Sequence, residues 1–138
     1  MIQADSILGL ASRAGDAGGF TRCHVPLSYA QTPMFEAILG HGIIHNFLGR
    51  WNDPHGVCRE QFFSVGWKLR QDGQINEALR QLYPLHPFSM DIVVIQFGDD
   101  GRFVPLRRMM DRARVYAVIR EYVASRLHSI RDPDLVDE

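Results

Sequence analysis

The hydrophobic pattern is densest between Asp91 and Leu106. Ile92-Val93-Val94-Ile95 is followed there by Gly98-Asp99-Asp100-Gly101 and then by Phe103, Val104 and Leu106. β-Branched side chains are stiff at χ1 and fit a pleated surface. Glycine and aspartate tolerate the positive φ of a tight turn. The spacing predicts strand, turn and return strand, a ribbon on which the rest of the chain packs. Phe20 to Leu27 alternates imperfectly and is limited by Pro26, which predicts a short edge strand.

The other apolar blocks read at helical spacing. Asp5 or Ser6 caps a short helix through Arg13, with Ile7, Leu10 and Ala14 on one face, and Gly15 to Gly19 ends it. Thr32-Pro33 opens a second helix to Gly49, apolar around much of its circumference through Phe35, Ile38, Leu39, Ile43 and Phe47. A third runs from Asn52 to about Gln71, with Cys58, Phe62, Val65 and Leu69 spaced four, three and four apart. Asp72-Gly73 breaks it. A short helix follows over Ile75–Leu82 and stops before Pro84. Met110 to about Ile130 forms the last helix, with Val115, Val118, Ile119, Tyr122, Val123 and Leu127 as its stripe. The expectation is a mostly helical α+β domain packed around an antiparallel hairpin of two or three strands. Residues 1–131 form that single domain, and 132–138 form an acidic tail.

Composition adds limits. The chain has 138 residues, a formal net charge of −1 and two cysteines, Cys23 and Cys58. One domain of this size buries roughly two-thirds of its unfolded surface and needs no disulfide or structural metal. A cytoplasmic setting is the expectation, with no membrane association, because no run of about 18 apolar residues occurs. Charge is uneven: from Arg102 to Arg126 seven arginines face only Asp111 and Glu121, so that block carries +5. Only Lys68 among the 15 basic residues is lysine.

Three constellations carry candidate chemistry. His41 and His45 stand four apart, so on a helix they would share a face and grip one Zn or Cu ion, with His55 and Cys58 near in sequence. The glutamate of a His-Glu-x-x-His hydrolase is missing. Two helices joined at Asp72-Gly73 and followed by a hairpin give the element order of a winged helix. DNA would then meet Asn76, Arg80 and Gln81 at base edges and Arg102, Arg107 and Arg108 at phosphates, although Asp99-Asp100 at the wing tip opposes it. Finally, the stripe Val115, Val118, Ile119 and Tyr122 offers an interface to a second copy, and Phe20, Tyr29, Trp51, Phe63, Trp67, Phe88 and Tyr116 lie beyond the strict helical stripes as further contact candidates. No catalytic set rises above chance spacing. The reading is a non-enzymatic interaction module without a cofactor, self-associating in preference to binding DNA or metal.

Overall fold

A computed structural model describes residues 6–15, 19–26, 35–51, 61–82, 84, 88–98 and 100–131. Its elements run β1 (Ser6–Ser12), β2 (Thr21–Pro26), α1 (Glu36–Leu39), β3 (His45–Trp51), β4 (Gln61–Leu69), α2 (Glu77–Leu82), β5 (Met90–Gly98), β6 (Phe103–Val104) and α3 (Met109–Arg131). The strands form one antiparallel sheet in the order β2-β1-β5-β4-β3, and β6 pairs with the later part of β5. The expected mostly helical domain is thereby corrected: the sheet dominates, and α3 is the one long helix among the described residues.

β5 is the middle strand, and it is the apolar run that organised the sequence. On one side it pairs with β1 through Leu10↔Val94 and then with β6 through Phe97↔Phe103. On the other side it pairs with β4 along its whole length, from Gln61↔Gly98 to Leu69↔Met90. The hairpin expected there is present, with the Gly101 N–H donating to the Gly98 carbonyl at 3.0 Å. The short strand expected near Phe20 is β2, and it does lie at an edge.

In three blocks read as helices the described residues form strands, each for a physical reason; residues 52–60 of the third block lie outside the described residues. In β4, Phe63, Val65 and Trp67 point to one face and Phe62, Ser64, Gly66 and Lys68 to the other. Both faces carry apolar groups, so the period of two is hidden and a helical spacing can be drawn through the same residues. β1 is similar: Leu10 and Ala11 are neighbours in sequence, yet each is buried in a different core. Among the described residues, the helix expected over Thr32–Gly49 survives as the single turn α1. Gly40 (φ +85°) and Gly42 (φ +132°) take the chain out of helical geometry, and β3 follows.

The sheet has a core on each face. One packs Phe63, Val65, Trp67, Ile92 and Val94 against α2 and α3 through Leu79, Val115, Val118 and Ile119. The other places Phe35 and Leu39 of the α1 turn over Ala11, Val25, Val93 and Ile95. The Phe35 ring lies directly on Gly66, where an added Cβ would fall inside its van der Waals envelope. Gly66→Ala should therefore destabilise the fold by about 1–3 kcal/mol, the usual scale of overpacking, measured as a lower urea midpoint. An unchanged midpoint would show that α1 lifts off without cost.

Candidate functional site

Once the two cores are closed, an apolar surface remains on the α1 side of the sheet. Residues 48, 62, 97 and 103 all point to that face, as the strand registers require. Phe62 stands opposite Phe97 with rings stacked at 5.7 Å, and Phe97 stands opposite Phe103 edge to face at 6.3 Å. Such cross-strand aromatic pairs stabilise a sheet by roughly 0.2–1 kcal/mol each. The three rings belong to neither core cluster. Phe62 and Phe97 are half-buried, and Phe103 is exposed. Leu48, one strand further toward the β3 edge, is 62% exposed.

These residues were not singled out in the sequence. Phe62 reads there as part of a buried helix face and Phe103 as the return strand. The missed signal is the alternation of β4: once Phe63, Val65 and Trp67 are assigned inward, Phe62 must point the other way. Conversely, Phe20, Phe63 and Trp67, expected as contact candidates, are core residues, and Phe88 and Tyr116 pack partly against that core. Tyr29 and the Trp51 side chain fall outside the described residues.

A second feature is an open cleft of about 890 Å³ where β4 ends and β5 begins, with the α1–β3 turn as its other wall. Its charges compensate one another. The Lys68 ammonium donates to the carbonyls of Leu39 and His41, which closes the end of α1. Arg70 forks onto Asp72 and reaches Asp91 at 3.1 Å. Asp91 in turn accepts the Ala14 N–H at 2.7 Å, tying the start of β5 to the end of β1. The hydrogen bond from Arg70, helped by the Gln74 backbone N–H, holds the Asp72 carboxyl down at about 2, against an ordinary 3.8. The sign follows: this contact is fully present above the ordinary value and is lost as pH falls through about 2. An NMR titration of Asp72 should place its midpoint near 2, and Arg70→Gln should return it toward 3.8. An unmoved midpoint in that variant would remove Arg70 as the cause.

The metal constellation is not assembled as expected. His41 lies in the turn after α1, with its Nδ1 3.2 Å from Glu36 Oε2, while His45 opens β3 and stacks on the Trp67 ring at 4.3 Å. The shared helix face that would bring them together does not form, because the helix ends at Leu39 with Gly40, and Gly42 between the two histidines also has a positive φ. His55 and Cys58 lie outside the described residues. Among the described residues no group of three His, Cys, Asp or Glu is placed to hold a metal ion.

The helix-turn-helix arrangement is corrected as well, since the segment before Asp72-Gly73 is β4. Asn76 is fully buried and its side chain is saturated. It donates to the carbonyls of Ser12 (3.1 Å) and Met90 (3.0 Å) and accepts from the Ser12 hydroxyl and the Leu79 N–H, both at 3.1 Å. Arg80 and Gln81 are exposed, Arg80 beside Glu77 at 3.3 Å. Arg102, Arg107 and Arg108 are exposed too. Arg102 lies 3.9 Å from Asp100, the Arg107 carbonyl accepts from Arg22, and Arg108 lies 3.8 Å from Asp111.

The stripe expected as an interface on α3 is placed as follows. Val115, Val118 and Ile119 are 0–3% exposed because they face the chain's own sheet, and the Tyr122 side chain lies outside the described residues. No described helix is long and apolar enough to cross a membrane. Comparison with protein-family models, with curated proteins and with solved structures found no match.

Proposed function

We propose that this chain is a protein-interaction module that self-associates through the open face of its sheet. The observation that carries the reading is the row of rings Phe62, Phe97 and Phe103, lying outside both cores, with exposed Leu48 two strands from Phe97 on the same face. Aromatic side chains are enriched at the centres of interfaces, because they remove large areas from water at little cost in side-chain entropy. The cleft beside Lys68 and Arg70 supports a ligand reading less, since its cations already hold carbonyl and carboxylate partners.

The test is native mass by size-exclusion chromatography with light scattering. The wild-type chain should run as a dimer or larger. Phe103→Asp should shift it toward monomer while leaving the circular dichroism intact, because Phe103 belongs to neither core cluster. A wild type that stays monomeric at its highest soluble concentration sinks the reading.

A further inference from the structure

We infer that the acidic segment 132–138 of one copy docks on a cationic patch at the start of α3 of a second copy. This contact goes beyond the aromatic face, because α3 packs on the opposite side of the sheet. The patch is built from two parts of the chain. Arg107 and Arg108 lead into α3, and Arg112 stands on its first turn. Arg22 of β2 joins them. Its guanidinium donates to the Arg107 carbonyl at 2.6 Å, and Arg112 Nε donates at 3.0 Å to the carbonyl of Phe20, two residues before Arg22. All four arginines are exposed. Carbonyl partners hold Arg22 and Arg112 in place without cancelling their charge, unlike the carboxylates that hold Arg70. Among the described residues, the carboxylate beside the patch is Asp111, whose side chain is 1% exposed and is shared with the buried Arg114. Met110 follows in the same turn and is 59% exposed. The patch therefore offers four exposed guanidinium groups beside one large apolar side chain.

What fits such a patch is a short acidic peptide with an apolar centre. Residues 132–138 read Asp-Pro-Asp-Leu-Val-Asp-Glu, with four carboxylates, no basic residue, and Leu135-Val136 between the acids. Carboxylates accept the forked donors of arginine, and Leu135-Val136 supplies the apolar cover for Met110. Reach decides which copy provides the segment. α3 has 23 residues, so its ends lie about 33 Å apart at a rise of about 1.5 Å per residue. Seven residues beyond Arg131 span at most about 25 Å when fully extended. The segment therefore falls short of the start of its own α3, and a second copy must donate it. Each exposed ion pair is worth little alone, so the contact depends on several acting together and weakens with salt.

The experiment uses the full chain carrying Arg107→Lys, which keeps the charge and adds an amine to a sequence whose one lysine is Lys68. A carbodiimide condenses a touching amine and carboxylate to an amide and takes up the released water as a urea. It should give a covalent dimer, and peptide mapping should find position 107 joined to residues 132–138. Arg108→Glu, added to that chain, should cut the yield at least about fivefold with the circular dichroism unchanged, because it sets a like charge against the acids. Salt at about 1 M should do the same, since screening then acts within about 3 Å. The bond should persist in Phe103→Asp, and its loss there overturns the claim that this contact stands apart from the aromatic face. A bond from position 107 to the same residues within one chain overturns the second-copy donor. No bond to residues 132–138 overturns the docking, while light scattering tests the aromatic face separately. A short DNA duplex that the wild type retains at low salt, that Arg108→Glu releases and that blocks the bond assigns the patch to phosphate, and overturns the acidic segment as its occupant.

Discussion

Asn76→Ala should cost on the order of 3 kcal/mol or more, the larger share from buried groups left without partners. The side chain is 0% exposed and makes four hydrogen bonds that use its whole donor and acceptor capacity. Removing it orphans the Ser12 hydroxyl, two carbonyls and the Leu79 N–H, each at about 1–3 kcal/mol where water does not enter. It also removes the N-cap of α2, worth about 1 kcal/mol. The network joins the end of β1, the start of β5 and α2, so cooperative unfolding should feel the whole loss. Urea denaturation measures it. Asn76→Asp supplies the sharper contrast. It keeps the cap but turns two donated bonds into an acceptor facing the carbonyls of Ser12 and Met90. Its penalty should shrink as pH falls, because a protonated acid again donates one bond. Equal penalties at pH 5 and pH 8 would count against this account.

The second large effect concerns Asp111 and Arg114, which pin the first turns of α3 to β5. Asp111 is 1% exposed and Arg114 7%. Asp111 accepts the Arg108 N–H at 2.8 Å, the reach-back half of a capping box, and its other oxygen meets Arg114. Arg114 also donates to Gln96 at 3.3 Å and lies over the Phe63 ring at 5.8 Å. Asp111→Ala leaves a guanidinium in the core without its carboxylate, and should cost about 3–5 kcal/mol. Asp111→Leu combined with Arg114→Met should cost less than Asp111→Ala alone, since apolar replacement of both partners removes the desolvation penalty as well as the attraction. A double-mutant cycle measures the coupling. Additive losses would show that the two side chains act independently.

What the sequence made legible follows from how each element is buried. The β5–β6 hairpin, β2, α2 and the long α3 could be read because each has a local signature. These are β-branched residues next to Gly-Asp turn residues, a strand limited by proline, and a stripe of period 3.6 on α3 with one face inward. β1, β3 and β4 could not. β1 and β4 place apolar groups on both faces of a covered sheet, so their alternation vanishes. Gly40, Gly42 and Gly66 lie inside segments that read as helix, and Gly49 reads as the end of one. Their reasons are tertiary: two turn the chain out of α1, one receives Val118 and one receives Phe35.

The candidate site was less legible than the fold. Asn76 and Arg80 look equivalent in sequence, as polar groups of one short helical segment. One lies at the meeting point of three elements and the other in solvent. Val115, Val118 and Ile119 were rightly read as an apolar stripe, but a stripe does not say what it faces. By itself the sequence determined where β-rich and α-rich segments begin and end around β5 and α3, because turn chemistry and residue stiffness act locally. Only the tertiary structure decided which apolar residues are core and which remain as the Phe62–Phe97–Phe103 row. Strand order and register are set by contacts between residues far apart in the chain, and no local pattern carries them.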